Sequence, residues 1–125
     1  MARLRPVLAA AALVLVLVGC GGRDEEAGEP SLPSSSLARV SAVDNTFQPE
    51  HISMRAGTEV TWTNDGRNDH NVIPVEGNGW GVATDGFHAG DTYRYVFTEP
   101  GTYRYYCSLH GTAEAGMVGV VDVTE

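Results

Sequence analysis

From residue 37 onward, apolar and polar residues alternate in short runs separated by Gly, Pro, Asn and Asp. A period of two over four to eight residues is the mark of half-buried strands. Arg39–Asp44 and His51–Arg55 read as strands, divided by the connecting segment Asn45-Thr46-Phe47-Gln48-Pro49. Ala56-Gly57 turns into a strand from Thr58 to Asn64, where Val60 and Trp62 alternate with Thr61 and Thr63. After the Asp65-Gly66 turn, His70–Val75 resumes an extended course. Gly77–Gly90 contains five glycines together with Trp80 and Phe87, and reads as an irregular excursion with two large side chains tucked inward. Thr92–Thr98 carries Tyr93, Tyr95 and Phe97 on one parity, and Pro100-Gly101 fits the centre of a type II turn. Thr102–Cys107 and Met117–Thr124 read as the last two strands. No segment holds a helical period and no internal repeat occurs. The pattern predicts an all-β domain, a sandwich or a barrel.

The first 36 residues follow a different logic. Arg3 and Arg5 precede an uncharged apolar run from Val7 to Val18, which ends in Leu17-Val18-Gly19-Cys20. The run is shorter than the roughly 20 residues a spanning helix needs, and it has the layout of an export signal. Its ending resembles the lipobox of bacterial lipoproteins, which implies cleavage after residue 19 and acylation of Cys20. Residues 20–36 combine acidic residues with Pro, Gly and Ser and offer no periodic apolar face, as expected of a flexible tether. The expected organisation is a signal peptide over 1–19, a lipidated Cys20, a tether over 20–36 and one domain over 37–125. The 89 residues of that domain suffice for one modest core.

Charge narrows the partners. The chain has no lysine, and without Arg3 and Arg5 six arginines face sixteen acidic residues, a formal charge of −10 with neutral histidines. Such a surface repels nucleic acid and favours a partner with a basic docking face.

The candidate chemistry sits near the C-terminus. Cys107-Ser108-Leu109-His110 is followed by Gly116-Met117, and Asp69-His70-Asn71-Val72 lies far upstream. A thiolate, two imidazoles and a thioether make up the donor set of an electron-transfer copper site. Two donors come from one loop and one from a distant loop, so the fold must assemble the cage. The chain contains two cysteines. If Cys20 carries lipid, Cys107 has no disulfide partner, and an unpaired exported thiol is a liability unless it is buried or holds metal. Taken singly, Cys107 also fits a small buried hydrophobe, Met117 a gap-filler and His70 a loop histidine; taken together they fit a metal site. His51 and His88 belong to no ligand segment and read as surface histidines, while Met54 reads as strand packing. Tyr103 and Tyr105 share the parity of Cys107 and should point to its face.

These segments, with Phe47-Gln48-Pro49, Ala56-Gly57-Thr58-Glu59-Val60-Thr61-Trp62 and Gly101–Cys107, resemble the plastocyanin/azurin family of cupredoxins over nearly all of Leu37–Glu125. The resemblance implies a Greek-key β-sandwich of about eight strands with one copper at one end. It implies His70, Cys107 and His110 as equatorial ligands, Met117 as the weak axial ligand, and Asn71 as a hydrogen-bonding brace between the ligand loops. It also places the edge of His110 near an apolar surface patch. One departure stands out: six residues separate His110 from Met117, against four in plastocyanin-like loops, and Glu114 in that stretch carries a carboxylate that would suit a metal.

The implied function is single-electron transfer by Cu(I)/Cu(II) cycling. The expected carrier is a monomer outside the cytoplasm, held at the membrane by its lipid and serving protein donors and acceptors. The competing reading is a copper-delivery protein without a redox role. Enzymatic chemistry is not expected, because multicopper enzymes need a histidine cluster and dinuclear sites need two bridging cysteines.

Overall fold

The computed structural model describes residues 37–125. The signal peptide, Cys20 and the tether lie outside the described residues. Eight strands form two four-stranded sheets. The first has the order β2-β1-β4-β6, built from β1 (Leu37–Val43), β2 (Thr46–Gln48), β4 (Glu59–Asn64) and β6 (Thr92–Val96). The second has the order β3-β8-β7-β5, built from β3 (His51–Arg55), β5 (Ile73–Pro74), β7 (Gly101–Gly111) and β8 (Gly116–Thr124). Pairs β1–β4 and β3–β8 are parallel and the others antiparallel. The expected all-β sandwich of about eight strands is what forms.

The alternation read from the sequence is the one that is buried. Val40 and Ala42 on β1, Val60 and Trp62 on β4, and Val121 and Val123 on β8 face the interior, with Phe47, Met54, Phe97 and Tyr105 among them. Trp62 lies at the centre, 5.4 Å from the ring of Tyr93 and 5.6 Å from that of Tyr105. The irregular stretch between β5 and β6 does send two aromatic rings inward. Phe87 is fully buried, and Trp80 stacks 6.1 Å from Trp62 and meets Phe97 edge-on at 5.0 Å. A single 3-10 turn, Thr84–Gly86, shapes that stretch just before Phe87.

Beyond shifts of one or two residues at strand ends, four features differ from the sequence reading. Residues 46–48, read as connection, form β2: Asp44 at φ 49° turns the chain so that Phe47 pairs with Ala42. A three-residue strand with polar ends is too short to show alternation. The extended run 70–75 contributes only two residues to a strand. Val72 exchanges both backbone hydrogen bonds with Val82, at 2.9 and 3.0 Å, so its ladder belongs to the excursion and not to β7. Gly101 has φ 158° and already opens β7, so Pro100-Gly101 does not form the type II turn, which needs about +80° at that position. Finally, β7 continues to Gly111 instead of ending at Cys107, because Gly111 rejoins β8 opposite Gly116.

One close approach fixes how β7 meets β8. Tyr105 lies opposite Gly119 in the ladder, and a Cβ on Gly119 would stand 2.2 Å from Tyr105 Cζ. Only a residue without a side chain lets the Tyr105 ring lie across the strand and reach Trp62. Gly119→Ala should therefore destabilise the fold by about 1–3 kcal/mol through overpacking. Chemical denaturation would measure it, and an unchanged midpoint would contradict this packing.

Candidate metal centre

The site is built by an uneven stretch of the β7–β8 ladder. Tyr106 pairs with Val118 and Gly111 with Gly116, with a register shift between them. Four residues on β7, Cys107 to His110, thus face a single residue on β8, Met117. The surplus chain on one side has to bulge. It leaves Cys107 pointing into the core and lets His110 fold back toward it. Met117 occupies the short arm of the same interruption and is fully buried, as is Cys107.

His70 arrives from the loop between β4 and β5. Its N–H donates to the Phe87 carbonyl at 3.2 Å, and its ring is fully buried. The three donor atoms converge: Cys107 Sγ lies 3.7 Å from His70 Nδ1 and 3.5 Å from His110 Nδ1, and the two nitrogens are 3.2 Å apart. A point equidistant from all three lies about 2.0 Å from each, close to the bond lengths that imidazole and thiolate make with first-row metals. The triangle therefore fits one ion, and two imidazoles with a thiolate suit copper in both oxidation states.

Asn71 ties the two ligand loops together. Its Oδ1 accepts from the Ser108 N–H at 2.8 Å, while its Nδ2 donates to Ser108 Oγ at 2.8 Å and to Thr84 Oγ1 at 3.1 Å. The bracing expected of Asn71 is present, and it extends to the 3-10 turn. Hydrogen bonds of this kind orient ligands and are worth about 10–100-fold in metal affinity. Ser108 and Thr84 were not picked out from the sequence, since hydroxyl residues are too common in strands and turns to stand out.

The remaining candidates sort cleanly. His51 and His88 are exposed, and each pairs with a carboxylate, Asp122 at 2.5 Å and Asp69 at 2.9 Å. The hydrogen bond to Asp69 raises the pKa of His88 above the ordinary histidine value. Met54 is a core residue. Glu114 is exposed and stands outside the only His/Cys/Asp/Glu cluster of metal-binding type found among the described residues. The additional loop length forms a hairpin tip, closed by Thr112 N–H donating to the Ala115 carbonyl at 2.8 Å. Gly116, at φ 88°, makes the return into β8. His110 is half-buried, and its neighbour Leu109 is 51% exposed, one of three exposed large apolar residues among those described.

This chain belongs to the copper-binding family of plastocyanin and azurin, whose family model matches residues 35–124. It is 34% identical over 85 residues to plastocyanin A/B of Petroselinum crispum, covering 62% of this chain and 86% of that protein. Among solved structures it is similar to a purple cupredoxin from Nitrosopumilus maritimus, with a TM-score of 0.61 at 28% identity over 70% of this chain and 99% of the other. A copper-containing nitrite reductase from Thermus scotoductus shares the fold at a TM-score of 0.60 and 28% identity, over 70% of this chain but only 22% of the enzyme.

Burial, with the neighbouring His110 next in weight, lowers the pKa of His70 below the ordinary histidine value of 6.5. The unfolded chain then binds more protons than the folded one as acidity rises, so the metal-free fold loses stability as pH falls. The loss starts near pH 6.5 and is complete below the folded value. Denaturation of metal-free protein at about pH 7.5 and about pH 5.5 should show the lower stability in acid, with a smaller difference in His70→Gln. Equal pH dependence in the two proteins would contradict the assignment to His70.

Proposed function

We propose that this chain is a single-electron carrier, exported from the cytoplasm and anchored to a bacterial cell membrane through acylated Cys20. The observation that carries the redox reading is the convergence of His70, Cys107 and His110 donors within 4.8 Å, with His70 and Cys107 sealed from water. His70, Cys107 and His110 would hold copper, with Met117 supplying a weak fourth donor. When bound, copper supplies a one-electron couple between Cu(I) and Cu(II).

The residues around the site do the rest. Cys107 and Met117 sit in a break of the ladder that the Tyr106–Val118 and Gly111–Gly116 pairs pin on both sides, and His70 is tied to Phe87, so the donors keep their places whichever charge they surround. Asn71 and Ser108 hold the two loops at a fixed separation. His110 is the ligand nearest solvent, and the exposed Leu109 beside it offers an apolar contact on which a redox protein can seat. Among the described residues five arginines stand against twelve acidic residues, which favours a partner with a basic docking face. Electron transfer of this kind changes no substrate bond, so the chain acts as a carrier and not as an enzyme.

Copper delivery is the weaker reading. A cargo site benefits from accessible, exchangeable sulfur donors, whereas Cys107, Met117 and Met54 are all buried.

Cu(II) added to the protein should produce an intense visible thiolate-to-copper band that bleaches on reduction and returns on oxidation. Cys107→Ser should abolish the band and electron transfer to a redox partner protein. Retained transfer in that variant would sink the carrier reading, and tight Cu(I) binding without a band would favour delivery. Independently, mass spectrometry of protein recovered from bacterial membranes should show a mature chain beginning at acylated Cys20. An unmodified Cys20 would remove the anchor while leaving the copper site untouched.

A further inference from the structure

We infer that Asn64 positions His70, and so fixes the one ligand that does not come from the β7–β8 hairpin. This rests on the reading of His70 as a copper ligand. Asn64 ends β4 at the parity of Val60 and Trp62, so its amide is aimed inward, and the residue is 1% exposed. Both of its Nδ2 protons have acceptors: the Asn68 carbonyl at 2.9 Å and the Phe87 carbonyl at 3.0 Å. Its Oδ1 accepts from the Gly66 N–H at 3.1 Å. Its main chain is paired as well, the N–H donating to Asp91 O at 2.9 Å and the carbonyl accepting from Gly90 N–H at 2.8 Å.

The Phe87 carbonyl is shared. It accepts from Asn64 Nδ2 and also from the His70 N–H at 3.2 Å. One side chain therefore joins three pieces of chain: the end of β4, the loop leading to His70, and the loop from Phe87 to Asp91. The Asn64–Gly66 bond also sets the other side of the ligand. Gly66 lies so close to the His70 ring that a Cβ there would stand 3.1 Å from Nε2 and 3.3 Å from Asn64 Oδ1. His70 is thus held at its backbone through Phe87 and bounded at its ring by Gly66, and both supports lead to Asn64.

The chemistry demands an amide. Two carbonyl oxygens converge on one nitrogen, and a group with two protons to give satisfies both. Aspartate has the same shape but presents an acceptor to two acceptors, so both bonds are lost and oxygen is set against oxygen at the Asn68 and Phe87 carbonyls. Asn64→Asp is therefore nearly neutral in volume and opposite in hydrogen-bonding sense.

The test uses the whole chain in three measurements. In Asn64→Asp, Cu(I) affinity should fall about 10–100-fold, the range for partners that orient a ligand, and the thiolate-to-copper band should shift or weaken. In the metal-free variant, hydrogen exchange at the His70 amide should quicken at least about tenfold while the Val121 amide in β8 stays slow, the pattern of a local opening. A uniform rise at both amides, with wild-type affinity and spectrum in the folded fraction, would show general destabilisation and overturn the inference. If Asn64→Asp does not fold, the wild-type protein still decides. Its Asn64 side-chain amide protons should exchange slowly, in step with the His70 amide, and exchange at the solvent rate would overturn the proposal. A wild-type protein with no thiolate-to-copper band would instead defeat the copper reading, and the exchange data would still report whether Asn64 holds His70.

Discussion

The site depends on a mismatch in length between two neighbouring strands. Between Tyr106–Val118 and Gly111–Gly116, β7 spends four residues where β8 spends one. A regular antiparallel ladder would alternate these side chains between the two faces and carry His110 away from Cys107. The interruption instead brings the imidazole to within 3.5 Å of the thiol and keeps Met117 in the interior beside them. The flanking pairs are regular, so the irregularity is confined and its shape is set from both ends. A sandwich with fully regular strands would have the same core and no such site.

The donor from the other loop is brought in by a different means. Polar side chains with more than one bonding atom act as junctions where strands give way to loops. Asn71 joins the His70 segment to the Cys107 segment and to the 3-10 turn, and Asn64 joins the same segment to the Phe87–Asp91 loop. Both are buried amides, costly if left unpaired and rigid once satisfied. The hydrophobic core holds the sheets together, while these amides set where the loops at one end of them lie.

Much of this was legible in the chain. Alternation gave β3 its observed limits and marked Trp62 as interior, and the two aromatics of the Gly-rich excursion turned inward as expected. The Cys-x-x-His spacing with a downstream Gly-Met marked Cys107 and His110, whose donor atoms meet, and Met117, which is buried in the same break of the ladder. Other features had no local signature. β2 is three residues long, and the pairing of Val72 with Val82 is a choice between two available partners that pattern cannot make. Thr84 and Ser108 are ordinary strand and turn residues whose bonds exist only because distant segments meet. Asn64 did leave a trace: an amide on the same parity as Val60 and Trp62 interrupts an apolar face, and such a break calls for a buried bonding partner.

The hairpin beyond the donors has a consequence of its own. Residues 112–115 lie outside the Gly111–Gly116 pair, and their backbone bond closes the tip without using any residue that faces the three donors. The bite of the site, set between Cys107 and His110, is thereby decoupled from the length of the loop that follows. Residues added at the tip cost only loop-closure entropy, about 0.6 kcal/mol per doubling of length, whereas one residue added before His110 would change the chelate ring itself. The tip can therefore change in sequence and length while the spacing between Cys107 and His110 stays the same.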